Sequence, residues 1–226
     1  MTVSKKGKPP SARRKILVVD DHAVLREGLV AQINREPDLC VCGEAEDAGK
    51  AITAIEKLEP DLVLADVTLP GRNGLELIRD IRALRPGLPV LVLSMHDASL
   101  FAERVLRAGG RGYISKHHTG QRLIAAIRHV LGGQIYLSDE VSTRLLDRLS
   151  GTRRARTVSP IEQLTDRELE VFTLIGQAKE TKDISLRLGM SAKTVEAHRA
   201  NIKRKLKLKT GPELTRHAVL WVEAVR

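Results

Sequence analysis

Nowhere in the 226 residues does an apolar run approach the roughly 18–20 residues of a membrane span, and no signal-type apolar core stands at the N-terminus. The chain is therefore expected to be cytoplasmic, with no membrane partner. Cysteine is scarce. Cys40 and Cys42 are the whole complement, and neither their number nor their C-x-C spacing fits a zinc site or a disulfide framework. On a strand they share one face, as small reduced core residues. Acidic residues are missing from the first 15 positions, which carry six bases. With Pro, Gly and Ser among them, residues 1–14 are predicted to be a disordered basic tail.

The remaining charge is divided unevenly. Residues 16–137 hold 14 bases and 16 acids, residues 138–160 five and three, and residues 161–226 thirteen and nine. The basic C-terminal part suits a polyanionic partner. At 42% hydrophobic and 29% charged the composition is that of an ordinary globular protein, and the length suits two domains.

Short apolar runs recur at Ile16–Val19, Leu39–Cys42, Leu62–Ala65, Val90–Leu93 and Gly112–Ile114. Helix-period segments lie between them, among them Val24-Leu25, Leu29, Ile33 and Leu75, Ile78, Ile81. A last such segment stops at Gly132-Gly133. Five strand–helix units with strands buried on both faces predict an α/β fold, a doubly wound five-stranded parallel sheet over residues 15–136. Residues 137–160 read as a linker that opens with a short helix from Ser138-Asp139-Glu140. Beyond Leu164 strand patterns cease, so residues 161–226 are predicted to form a small all-α domain.

Polar residues close the strands in a consistent way. Asp20-Asp21 end the first, Asp66 the third and Ser94 the fourth, and the fifth runs into Lys116. In a doubly wound sheet such residues converge beyond the carboxyl edge. Three crowded carboxylates raise one another's pKa, and an oxygen-preferring divalent cation, Mg2+, resolves the repulsion.

The stretches VVDD, LADVTLPGRNG, LVLS and GYISK resemble the receiver domain of two-component response regulators, and DDHAVLREGL resembles the NarL/FixJ branch. Ser94 follows Asp66 by 28 residues and Lys116 follows Ser94 by 22. The resemblance implies that Asp66 accepts a phosphoryl group. It makes Asp21, Asp66 and the backbone carbonyl of Thr68 the Mg2+ ligands, with Asp20 assisting through water. Ser94 and Lys116 would contact phosphoryl oxygens, and Tyr113 would be the aromatic that reorients on activation.

In the C-terminal part, Thr165-x-x-Glu168 is a capping-box spacing ahead of an apolar helix. A helix over about 181–188, a Gly189-Met190 turn and a helix from Ser191 to about Lys207 complete a helix-turn-helix. This resembles the LuxR-type DNA-binding domain, most clearly in TVEAHRANIKRKL. Glycine is common in that family where Ala178 stands. Rotating the last helix at 100° per residue buries Val195, Ile202 and Leu206 and turns Ala197, Ala200 and Arg204 outward. Residues 193–209 hold seven bases and one acid. Such a helix fits the major groove of double-stranded DNA, cations on phosphates and alanines on thymine methyls. The candidate DNA-contacting residues are Lys193, Thr194, Glu196, Ala197, Arg199, Ala200, Lys203 and Arg204.

Together these resemblances imply a transcription regulator, phosphorylated by a sensor histidine kinase and homodimeric when phosphorylated. They imply no enzyme beyond self-catalysed phosphoryl transfer and autodephosphorylation. One alternative is a DNA-binding regulator that ignores phosphate and uses the receiver only to dimerise. Another is a haloacid-dehalogenase-like phosphatase, whose D-x-D pair is here Asp66 and Thr68.

Overall fold

A computed structural model describes residues 13–72, 74–94, 98–116, 120–149 and 160–224. Most of the expected tail and the later part of the expected linker, residues 150–159, lie outside the described residues.

The N-terminal part alternates strand and helix: β1 (Arg14–Val19), α1 (Ala23–Asn34), β2 (Leu39–Ala45), α2 (Ala48–Leu58), β3 (Leu62–Ala65), α3 (Gly74–Leu84), β4 (Val90–Ser94), α4 (Ala98–Ala108), β5 (Gly112–Ser115) and α5 (Gln121–Leu131). The strands form one parallel sheet in the order β2-β1-β3-β4-β5. Period-2 alternation divides the core. Leu17, Val19, Val63, Ala65, Val90 and Val92 pack on the side covered by α2, α3 and α4. Ile16, Val18, Leu62, Leu64, Leu91 and Leu93 pack on the side of α1 and α5. Each such fully buried Val, Leu or Ile contributes about 1.5–3 kcal/mol, so both helical layers are firmly held.

Several details differ from the sequence reading. β1 begins at Arg14, whose guanidinium pairs with Asp61 at 2.8 Å. β2 continues three residues past the expected run because it stays in register with β1 as far as Val19 opposite Ala45, beyond a register shift at Ile16/Leu17. Val24, read as part of an apolar helix face, is 84% exposed, since the inward stripe of α1 runs through Leu29 and Ile33. Both cysteines are free and half-buried, and only Cys42 packs against the core, where burial pushes its thiol up.

The chain continues through α6 (Asp139–Leu149), a 3-10 turn at Pro160–Gln163, and α7 (Asp166–Gly176), α8 (Thr181–Leu188), α9 (Ala192–Leu206) and α10 (Gly211–Ala224). The expected capping box is present: the Thr165 N–H donates to Glu168 Oε2 at 2.8 Å, and the Glu168 N–H donates to Thr165 Oγ1 at 3.3 Å. Gly189 takes φ +60° at the turn between α8 and α9, and the Ser191 hydroxyl caps α9 by accepting the Thr194 N–H. Ala178 sits at φ +58° after α7, a left-handed conformation that a Cβ disfavours.

Every residue of α7 from Glu168 to Ile175 is buried. A helix buried all round has partners on every side. α9 and α10 pack on part of it, with Phe172 against His217 and Trp221 of α10. The N-terminal domain supplies the rest, and one apolar cluster runs from α3 and α4 through Ile161 and Leu164 into α7, α8 and α9.

Candidate phosphoacceptor pocket and nucleic-acid interface

The strand order reverses between β1 and β3, and the crevice at that switch point opens beyond the strands' carboxyl ends. The Asp20 N–H donates to Ala45 O at 3.1 Å and the Asp66 N–H to Val19 O at 2.8 Å, which ties both acidic residues to the sheet edge. α3 starts hard against the end of β3. A Cβ on Gly74 would lie 2.4 Å from Asp66 O and 2.6 Å from Val67 Cα, so only glycine fits there.

The predicted groups meet at this edge. Lys116 Nζ donates to Asp20 Oδ2 and to Asp66 Oδ2, both at 2.7 Å, with all three side chains almost wholly buried. The second oxygens are also engaged: Asp66 Oδ1 accepts the Thr68 N–H at 3.1 Å, and Asp20 Oδ1 accepts the His22 N–H at 2.8 Å. Burial pushes the Asp66 carboxyl above its ordinary range, only partly offset by Lys116. Burial also pulls on Lys116, but Asp66 and Asp20 outweigh it and hold the ammonium protonated. Ser94 is fully buried at the end of β4, level with Ser115, and Tyr113 is buried on β5 opposite Val92.

Asp21 differs from its neighbours. It makes no hydrogen bond to Lys116. His22 Nδ1 lies 2.7 Å from Asp21 Oδ1 without hydrogen-bond alignment, so that buried oxygen has no hydrogen-bond partner. Ligand atoms of Asp20, Asp21, His22 and Asp66 all fall within 4.8 Å of one another, an acidic pocket that could hold a metal ion. The donors are mainly carboxylate oxygens and one of them is an unsatisfied buried oxygen, which fits a hard cation such as Mg2+. His22 escaped the sequence reading, because a residue opening a helix carries no pattern that marks it as part of a site.

The second half of the chain forms one wall of this pocket. His22, Asp66, Thr68 and Lys116 face Glu170, Leu174, Gln177 and Arg187 across a cavity of about 170 Å3. Arg187 Nη2 stands 3.9 Å from Asp21 Oδ2. The docking is fastened nearby. Arg167 Nη2 donates to Gly71 O at 2.5 Å, Arg79 and Arg104 both pair with Asp166 at 2.8 Å, and Arg104 donates to Leu164 O at 2.7 Å. At the α8–α9 turn the approach is backbone to backbone, since a Cβ on Gly189 would lie 3.0 Å from Gly71 Cα. Burial pushes Glu170 up to about 7, against the opposing pull of Arg167, whose Nη1 lies 2.8 Å away. None of these contacts between halves follows a sequence period; the one local hint is the Arg167–Glu170 spacing of three on an apolar helix.

On α9 the faces separate as expected. Val195, Ile202 and Leu206 are buried, whereas Lys193, Thr194, Glu196, Ala197, Ala200 and Arg204 are exposed and Arg199 and Lys203 half-buried. Glu196 is engaged locally: its Oε1 accepts the Thr181 hydroxyl at 2.8 Å and lies 3.6 Å from Arg199 Nε. Lys205 turns away from the exposed face and binds Glu168 Oε2 at 2.5 Å.

Comparison with known proteins agrees with both halves. Residues 16–128 match the response regulator receiver domain, and residues 162–218 match the bacterial regulatory proteins of the luxR family. The chain is a response regulator of the NarL/FixJ type. It is 36% identical over 209 residues to the oxygen regulatory protein NreC of Staphylococcus haemolyticus and to that of Staphylococcus aureus, covering 91% of this chain and 96% of each relative. A LuxR-family two-component response regulator from Aurantimonas sp. superposes with a TM-score of 0.58 at 34% identity, over 62% of this chain and 99% of its own. The RcsB response regulator of Salmonella typhimurium shares the fold at 23% identity, with a TM-score of 0.69 over 92% of this chain and 98% of its own. This response regulator thus joins a receiver domain to a LuxR-type DNA-binding domain that regulates transcription. Among the described residues no helix is long and apolar enough to cross a membrane.

Proposed function

We propose that this response regulator is switched by phosphoryl transfer from a sensor histidine kinase to Asp66, in the cytoplasm, and that the phosphorylated form binds double-stranded DNA as a homodimer. The observation that carries the reading is the shared contact of Lys116 with Asp66 and Asp20 in a buried pocket. A cation fixed there is placed to offset the charge that a transferring group brings. In the transfer, Asp66 attacks phosphorus through a carboxylate oxygen, the nitrogen–phosphorus bond of a phosphohistidine breaks, and an acyl phosphate forms. Asp20, Asp21, Asp66 and the Thr68 carbonyl are proposed to hold Mg2+, which when bound supplies charge neutralisation and a template for the phosphoryl oxygens. Ser94 and Lys116 donate to those oxygens, and Tyr113 follows Ser94 in signalling the change. Slow autodephosphorylation uses the same residues in reverse order of need, with water as the acceptor.

The functional units in this reading are a tail over 1–14, a receiver over 15–136, a linker over 137–160 and a DNA-binding domain over 161–226. Lys193, Thr194, Glu196, Ala197, Arg199, Ala200, Lys203 and Arg204 are the proposed DNA contacts. The exposure of most of that face supports the assignment, as does the existence of structures of Salmonella RcsB bound to promoter DNA. Treatment with acetyl phosphate is expected to raise DNA affinity of the wild-type chain and leave Asp66→Asn unchanged, read by fluorescence anisotropy. Equal gains in both would sink control through Asp66, and no gain in either would favour a receiver that only dimerises.

A further inference from the structure

Among the described residues, two buried side-chain polar atoms have no hydrogen-bond partner, Asp21 Oδ1 and Arg187 Nε, and their side chains approach each other between the two halves of the chain. One belongs to the receiver and the other to α8 of the DNA-binding domain. Their side chains approach only as charges, with Arg187 Nη2 3.9 Å from Asp21 Oδ2. The three pocket carboxylates are not equivalent. Asp20 and Asp66 share Lys116, and Asp21, outside that contact, faces Arg187. On Asp21 the unsatisfied oxygen is Oδ1, beside His22 Nδ1 at 2.7 Å, and the other domain presents its guanidinium to Oδ2 of the same carboxylate.

From this juxtaposition we infer that Arg187 stands in for the divalent cation at Asp21, so that metal binding and docking of the DNA-binding domain over the pocket oppose each other. The inference rests on reading the acidic pocket as a metal site. Two cations at one carboxylate repel each other across a few ångströms of poorly solvated space. A small hard cation keeps most of its waters, and a hydrated ion at Asp21 meets the guanidinium directly. Removing the ion leaves Asp21 to Arg187, and seating it weakens the hold of α8 on the receiver. The coupling is reciprocal: the factor by which closure lowers metal affinity is the factor by which metal weakens closure. Mg2+ alone, with no phosphoryl donor, therefore loosens the closed form and prepares the pocket for transfer. The fasteners at Arg79, Arg104 and Asp166 contain none of the pocket carboxylates, so they set the strength of closure independently of the pocket's charge.

Calorimetric titration of Mg2+ into the full-length, unphosphorylated protein tests this, with small-angle scattering to follow compaction. Arg187→Gln is expected to bind Mg2+ roughly five- to tenfold more tightly than wild type, the lower range of typical couplings. Mg2+ should expand the wild-type protein, and Arg187→Lys, which keeps the charge, should fall between wild type and Gln. Arg104→Ala should also tighten Mg2+ binding, by releasing Arg187 from the pocket; if Arg187→Gln fails to fold, this variant and Arg187→Lys carry the test. Unchanged affinity in a compact Arg187→Gln protein overturns the inference while leaving the metal reading intact. Tighter binding in Arg104→Ala with none in Arg187→Gln overturns it too, because shielding by the domain would then be the cause. Absence of Mg2+ binding in every variant overturns the metal reading itself, and this inference with it.

Discussion

The acidic pocket and the outer face of α9 spend charge in opposite ways. In the pocket, Asp20 and Asp66 are 1% and 4% exposed and are held by a lysine that contacts both and by one backbone N–H each. On α9, Lys193 and Arg204 lie in solvent and need no partner to be stable. Buried charge is therefore structural as well as functional, and its removal is costly; exposed charge is cheap to keep and its loss is felt only when a polyanion arrives.

The sharpest way to break the comparison is Lys116→Met. It leaves two buried carboxylates without their common cation, and a loss of roughly 3–5 kcal/mol in urea unfolding is expected. Adding Asp20→Asn should recover part of that loss. An undiminished midpoint in the single variant would mean that the pocket opens to water when the lysine is lost.

Glu170 offers the next largest effect, because it is a buried acid of the DNA-binding domain that faces the receiver's pocket. Its pKa, raised to about 7 from 4.5, means that the folded protein holds this proton more tightly than the unfolded chain. The associated stability is fully present below about pH 4.5 and is lost as pH rises through about 7. At full strength the difference is on the order of 3 kcal/mol. Thermal melts at pH 5.5 and pH 8 should show the wild type losing stability with rising pH and Glu170→Gln losing distinctly less. Parallel losses in the two proteins would remove Glu170 as the cause.

Smaller effects are expected on the exposed side. Arg204→Ala should leave the unfolding free energy within about 0.5 kcal/mol of wild type. It should lower DNA affinity severalfold and reduce the salt slope by about one counterion, as expected for one phosphate contact. An unchanged slope would place Arg204 off the DNA. Smallest is Ala178→Gly, which relieves the left-handed φ of +58° at the end of α7. A gain of up to about 1 kcal/mol in thermal stability is expected; a loss would show that the loop holds Ala178 without strain.

The strand-end constellation was legible because each of its members interrupts an apolar run, and parallel strands deliver their ends to one edge. α9 was legible because its 3.6-residue period separates Val195, Ile202 and Leu206 from Ala197, Ala200 and Arg204, and tertiary packing leaves that separation intact. Val24 was misread because one apolar residue beside an inward stripe looks like part of it. The burial of α7 on all sides had a trace in its run of apolar residues, but a local run does not say which distant surfaces cover it.

The sequence by itself determined that Asp20, Asp21, Asp66, Ser94 and Lys116 belong to one sheet edge, and that a basic helix-turn-helix follows. Both are set by short-range patterns of polarity, which act before distant parts meet. Only the tertiary structure decided that Arg187 faces Asp21, that Glu170 closes the cavity over Asp66, and that Gly189 rests on Gly71. Those contacts join residues more than a hundred positions apart, and their strength comes from docking two finished surfaces, which no local period records.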